Sequence, residues 1–178
     1  ANGLITKLDE VFKNYSNYYT YEYAAARSTG TTNMMITRKR NGENDIYNTA
    51  QLLVNSKGLL LEATYPGYKE KNVYSYASER NNLIKFEEYE NDTIDTKVEI
   101  GYGEKAGAFR NVSIPQWFLF LELEDKISIP ADIDNNCMKA TGEDYKGLDD
   151  DKKPIVDTQW TSEFTYQTFI KDFPSLFT

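Results

Sequence analysis

Between residues 18 and 101 apolar and polar side chains alternate with period two, and turn-forming residues cut the alternation at short intervals. That period sends successive side chains to opposite faces of a β-strand. In YYTYEYA, Tyr19, Tyr21 and Tyr23 share a face opposite Tyr18, Thr20 and Glu22. In NMMITRK, Met34, Ile36 and Arg38 alternate with Met35, Thr37 and Lys39. In TIDTKVEIG, Ile94, Thr96, Val98 and Ile100 oppose Asp95, Lys97 and Glu99. The breaks fall at Asn41-Gly42, Asn55-Ser56-Lys57-Gly58, Pro66-Gly67, Asn81-Asn82 and Asn91-Asp92. Asn, Asp and Gly tolerate positive φ and suit tight turns between antiparallel neighbours. Parallel pairing would need crossover helices, for which the spacing leaves no room. The region reads as an antiparallel meander of about six or seven strands.

The flanks carry a different period. Leu4, Leu8, Phe12 and Tyr15 recur at helical spacing, with Ile5 and Val11 widening the stripe and Thr6, Lys7, Glu10 and Lys13 opposite. This predicts an amphipathic N-terminal helix of about three turns. Val112–Ser128 is the most apolar stretch of the chain. Read as a helix, it is capped by Ser113, carries Pro115 in its first turn, and gathers Trp117, Phe118 and Leu121 on one broad face. Read as a strand, it has apolar residues on both faces, so the helix is favoured. Residues 130–157 are acidic and weakly periodic and read as a long loop excursion, followed by a last strand in TQWTSEFTYQTFI. The expected fold is one α+β domain over residues 1–178. A curved antiparallel sheet would form a half-open barrel, with an N-terminal helix and a second apolar helix.

Composition narrows the chemistry. The chain has no His, which excludes Ser-His-Asp and Cys-His catalysis and most catalytic zinc sites. Its single cysteine, Cys137, allows no internal disulfide and no CxxC site. A net charge of -8 argues against nucleic acid and anionic membrane surfaces as partners. The basic run Arg38-Lys39-Arg40 beside Asn41-Gly42 reads as a charged hairpin end. No stretch approaches the roughly 20 apolar residues of a membrane span. Abundant Asn, Lys, Tyr and Ile beside no His and one Cys suggest a secreted or extracellular protein, or one of a bacterial cell envelope. Asn14, Asn91 and Asn111 begin Asn-x-Ser/Thr triplets, which a chain of this composition also produces by accident.

Two acidic patterns invite a site. Asp132, Asp134, Asn136 and Glu143 have the spacing of oxygen ligands in a calcium loop, but Cys137 stands where the sharp-turn glycine belongs. Calcium is therefore the one cofactor to consider, and an acidic solvated loop is the simpler reading. Glu87, Glu88 and Glu90 suggest paired carboxylates, but neighbours on a strand face opposite ways. The remaining feature is apolar. Met34, Ile36, Val98, Ile100, Trp117, Phe118 and Leu121 would line the concavity between sheet and second helix. They form either a ligand cleft or an ordinary closed core.

The stretches ITKLDEVFKNYSNYYTYEY, a helix running into an aromatic strand, and GLLLEATYPGYKEKNVYSY give an order of elements that resembles the lipoprotein-carrier-like fold of bacterial envelopes (LolA, LppX and RseB-type proteins). Ependymin-like half-barrels are also similar. The resemblance covers residues 4 to about 127 and implies binding of a lipid or other apolar molecule without catalysis. The expected function is that of a non-catalytic binding protein with an apolar ligand. An adhesion or carbohydrate-binding module, or a structural protein that self-associates or pairs with another protein, stands as the alternative.

Overall fold

Ten strands in sequence order make one antiparallel sheet in the computed structural model. The structure describes residues 6–11, 16–23, 31–40, 43–107, 110, 116–117, 134–165, 169–170 and 173–174. The strands are β1 (Lys7–Val11), β2 (Ser16–Tyr23), β3 (Thr31–Arg40), β4 (Glu43–Asn55), β5 (Leu60–Tyr65), β6 (Glu70–Tyr76), β7 (Leu83–Glu90), β8 (Thr93–Ala106), β9 (Asn135–Leu148) and β10 (Pro154–Glu163). Each pairs with its sequence neighbours, and the sheet is open, with β1 and β10 at its edges. A short hairpin of β11 (Phe169–Ile170) and β12 (Phe173–Pro174) forms a separate ladder, with β12 close to β8.

The turn signals lie where the chain reverses. Asn55 Oδ1 accepts from Lys57 and Leu59 N–H in the β4–β5 turn, and Gly58 there has φ of 78°. Asn91 and Asp92 take positive φ between β7 and β8. Arg40 pairs with Glu43 at the end of the β3–β4 hairpin. Alternation sorts side chains as the pattern predicts: Met34 is 3% exposed and its neighbour Met35 41%.

The core lies on one face of β2–β7. Tyr21, Met34, Ala50, Leu52, Val54, Leu60, Ala63, Tyr74 and Leu83 are buried there together with Trp117. A register shift between Leu53 and Val54 puts Val54 opposite Leu60 and Leu52 opposite Ala63. An extra residue on β5 thereby brings Leu60 and Ala63 to the same face although they are three apart. Tyr76 donates from its hydroxyl to Leu60 O at 2.7 Å, and burial pushes its phenol pKa up. Trp117 packs its ring at 5.3 Å from that of Tyr21, and its backbone N–H reaches Gly58 O at 3.4 Å.

A buried amide cluster pins the two ends of the connection from β8 to β9. Ala106 pairs with Asn135, and Gly107 N–H bonds Asp134 O. Asn135 Oδ1 accepts from Arg80 Nη1 at 2.6 Å and from Asn82 Nδ2 at 3.0 Å. Its backbone N–H in turn bonds Asn82 Oδ1. Asn81 N–H bonds Asp134 Oδ2 at 2.6 Å. These contacts hold the β6–β7 turn against the start of β9, and buried amides of this kind need such partners.

Three expectations are corrected, and a fourth, the second helix, lies largely outside the described residues. The N-terminal helix is replaced by β1, which pairs with β2 from Lys7↔Thr20 to Val11↔Ser16. Residues three apart, adjacent on a helix, lie on opposite faces of a strand. Leu8 accordingly packs on the core while Val11 is 79% exposed. Of the second helix, Gln116 and Trp117 have helical backbone; the rest of Val112–Ser128 lies outside the described residues, which contain no longer helix. Among the described residues the expected α+β half-open barrel gives way to one open antiparallel sheet. The acidic loop excursion is mostly β9 and β10, joined by a tight turn in which Asp149 Oδ1 accepts from Lys153 N–H.

Candidate functional site

Directly opposed residues of antiparallel strands share a face. Register therefore builds a polar grid on the side of β8–β10 away from the core. One row is Lys97–Glu143–Gln159 and the next is Glu99–Thr141–Thr161. The long side chains of the first row and of Glu99 stand around the short Thr141 and Thr161. The result is a groove of about 330 Å³ with Gly142 and Trp160 at its floor. A second, shallower hollow of about 610 Å³ adjoins it through Glu99 and Thr141 and extends to Lys85, Gly101 and Lys139.

Gly142 is required by its opposite side. A Cβ there would overlap the indole of Trp160, which lies across the strand on the core-side face. An aromatic ring laid over a cross-strand glycine repairs the gap that the missing side chain leaves. The row Tyr74–Phe86–Val98–Gly142–Trp160 carries apolar cover outward from the core, beginning with tilted Tyr74 and Phe86 rings 5.3 Å apart.

The groove's charges are arranged in advance. Gln159 Nε2 donates to Glu143 Oε1 at 2.9 Å, and the Tyr145 hydroxyl donates to Oε2 at 2.6 Å. These two bonds, Tyr145 first, with Lys97 nearby, hold the Glu143 carboxyl below the usual glutamate range. The same bond to Glu143 raises the Tyr145 phenol pKa. Lys97 lies 2.9 Å from Glu99, which strengthens its hold on the proton. Lys85 pairs with Glu87 at 2.6 Å. The groove can donate and accept hydrogen bonds and can balance charge. Its central carboxylate is oriented by two neutral donors.

On the core-side face of the neighbouring strand β7, Glu88 follows different physics. Burial raises its pKa first, and the charges of Glu70, Asp95 and Glu90 add to the rise. Its register partners are Asn72 and Thr96, and Thr96 Oγ1 donates to Asp144 at 3.2 Å. Glu87, on the opposite face, pairs with Lys85. The three glutamates therefore do not form one carboxylate pair.

The residues expected to line an apolar cleft are dispersed in role. Met34 and Trp117 are core, Ile100 packs against that core, and Val98 is half-buried between Phe86 and Gly142. The side chain of Ile36 and all of Phe118 and Leu121 lie outside the described residues. The calcium spacing falls on an extended strand. Asn136 and Glu143 are both in β9, where seven residues at about 3.3 Å each separate them by roughly 23 Å. Asp134 receives Asn81 N–H, and Asp132 lies outside the described residues. Among the described residues no group of three or more His, Cys, Asp or Glu could hold a metal. Sequence reasoning missed Thr141, Gln159 and Thr161. The alternation in TIDTKVEIG marked Lys97 and Glu99 as outward, but only pairing shows what stands beside them. Comparison of the chain with family models, with curated proteins and with solved structures finds no match in any of the three.

Proposed function

We propose that this chain is a non-catalytic binding protein that engages its partner through the polar face of β8–β10. The observation that carries this reading is the groove itself: short threonines ringed by Lys97, Glu99, Glu143 and Gln159, with the Glu143 carboxylate already oriented by two donors. Its volume of about 330 Å³ is at the small end for ligand sites, and groups fixed before binding lose little entropy on association. The composition that suggests export or a bacterial envelope supports an extracellular or envelope setting. An apolar ligand held by Met34, Ile36, Val98, Ile100, Trp117, Phe118 and Leu121, in the manner of lipoprotein carriers, is the rival. It is less favoured because Met34 and Trp117 are each 3% exposed and packed in one cluster.

Amide chemical-shift mapping of the labelled protein separates the two. Neutral oligosaccharides, a fatty acid and short peptides are titrated in turn. The polar-face reading expects the responsive amides among residues 97–99, 141–145 and 159–161. Saturable shifts at Tyr21 and Trp117 on adding the fatty acid, with none at β8–β10 for any probe, would reject it.

A further inference from the structure

We infer that the outer edge of β10 accepts an extended, basic peptide segment as an eleventh strand. This deepens, and rests on, the polar-face reading. β10 pairs only with β9 among the described residues. Every residue from Pro154 to Glu163 is exposed except Trp160, which is half-buried. Phe164 N–H bonds Met138 O, so the chain continues along β9, and β12 lies close to β8. The described continuation therefore does not run along the free edge.

Proteins blunt such edges with proline, bulges and charges, lysine above all. Here that protection covers only half of the strand. Pro154 and the register shifts at Val156 and Thr158 disturb its start. From Thr158↔Asp144 to Glu163↔Lys139 the register is unbroken, a length of about six residues, typical of a whole strand. This half reads Thr-Gln-Trp-Thr-Ser-Glu, without proline or lysine. Gln159 and Thr161 of this half present their side chains to the groove. An added strand would satisfy the edge amides and place alternate side chains beside those two residues, the combination that gives strand addition both affinity and specificity.

Charge chooses the occupant. Lys97, Lys139 and Lys146 are matched with Glu99, Glu163 and Asp157. Glu143, whose hydrogen-bond partners are neutral, remains as excess negative charge in a chain of net charge -8. It stands two strand spacings, roughly 10 Å, from an added strand, within reach of a lysine side chain folded across Gln159. A second copy of this chain paired two-fold about Trp160 is a poor partner. Two-fold antiparallel pairing centred on Trp160 would set Asp157 opposite the second copy's Glu163, and like charges directly opposed destabilise a ladder.

The test uses the whole chain and a labelled ten-residue peptide of alternating Lys and Thr. Two versions carry N-methyl groups on the lysine or on the threonine amides, and a Glu-Thr version reverses the charge. Saturable binding is expected, with amide shifts at Thr158–Glu163. One N-methylated version should bind about tenfold more weakly, since it removes the pairing donors while keeping the charge. Glu143→Gln should weaken the parent peptide by about threefold or more, and the Glu-Thr peptide should not compete. Equal binding by both N-methylated versions would overturn strand addition; if the shifts then fall at Lys97, Thr141 and Glu143, the polar-face reading survives alone. Equal binding of the Glu-Thr peptide would overturn the basic partner. No shift on β8–β10 with any of these peptides at millimolar concentration overturns the inference, and the oligosaccharide titration then decides the polar-face reading separately.

Discussion

Trp117→Ala tests whether the apolar face of the sheet is core or cleft. The indole is buried and belongs to the cluster of Tyr21, Met34, Leu52, Leu60 and Ala63. Truncation removes the tilted contact with the Tyr21 ring at 5.3 Å but leaves the backbone N–H that reaches Gly58 O. Lost packing is therefore a large part of the cost. Deleting a buried tryptophan from a closed core costs about 3–5 kcal/mol, of which the ring pair accounts for roughly 0.5–1.5. A domain of this size has about 5–15 kcal/mol of total stability. At about 2–4 °C per kcal/mol, a loss near 4 kcal/mol lowers Tm by roughly 8–16 °C. The chain has two tryptophans, so urea unfolding of the variant can be followed by the emission of Trp160 alongside far-UV circular dichroism. A loss below about 1 kcal/mol, with a fatty acid raising the wild-type Tm by mass action, would refute the closed core and restore the apolar cleft.

Three further outcomes are expected. Asn135→Ala should cost roughly 2–3 kcal/mol in chemical denaturation, because the buried Asn82 amide loses its acceptor while exposed Arg80 can turn to water; an effect under 0.5 kcal/mol would show the cluster to be dispensable. Glu88 has a raised carboxyl pKa in the folded state, so the native state binds the extra proton. Its favourable contribution is complete below the unfolded pKa and is lost as pH rises through the folded one. Glu88→Gln should therefore raise Tm at pH 7 by roughly 1–2 °C, a modest amount because solvent screens a half-exposed group, and this advantage should vanish under acid. A lower Tm at pH 7 would contradict the assignment. By carbon NMR, the Glu143 carboxyl should titrate below the ordinary glutamate range and move back toward it in Tyr145→Phe; an unmoved midpoint would show that the Tyr145 bond does not set it.

Hydrophobic alternation and turn chemistry made the middle of the sheet legible from residues alone. Tyr21, Val98 and Ile100 alternate with polar or small neighbours because one face of β2–β8 meets the core. Asn55, Asn91 and Asp92 sit in reversals whose backbone they are suited to. That signal is local, and it fails where the local cause is absent. Residues 135–163 carry little apolar contrast because β10 is exposed along nearly its whole length. Their strands are held by ladder bonds and polar cross-strand contacts, which leave no period in the composition, so they resembled a loop. At the N-terminus the helical spacing of Leu4, Leu8, Phe12 and Tyr15 was outweighed by pairing of Lys7–Val11 with β2, a partner available only in the folded sheet. The groove belongs to the same class of fact. Lys97, Glu143 and Gln159 are far apart in the chain and become one row only through register. What the residues determine by themselves is which side chains can share a strand face; which strands stand side by side, and which edge stays open, is decided by the pairing of the whole sheet.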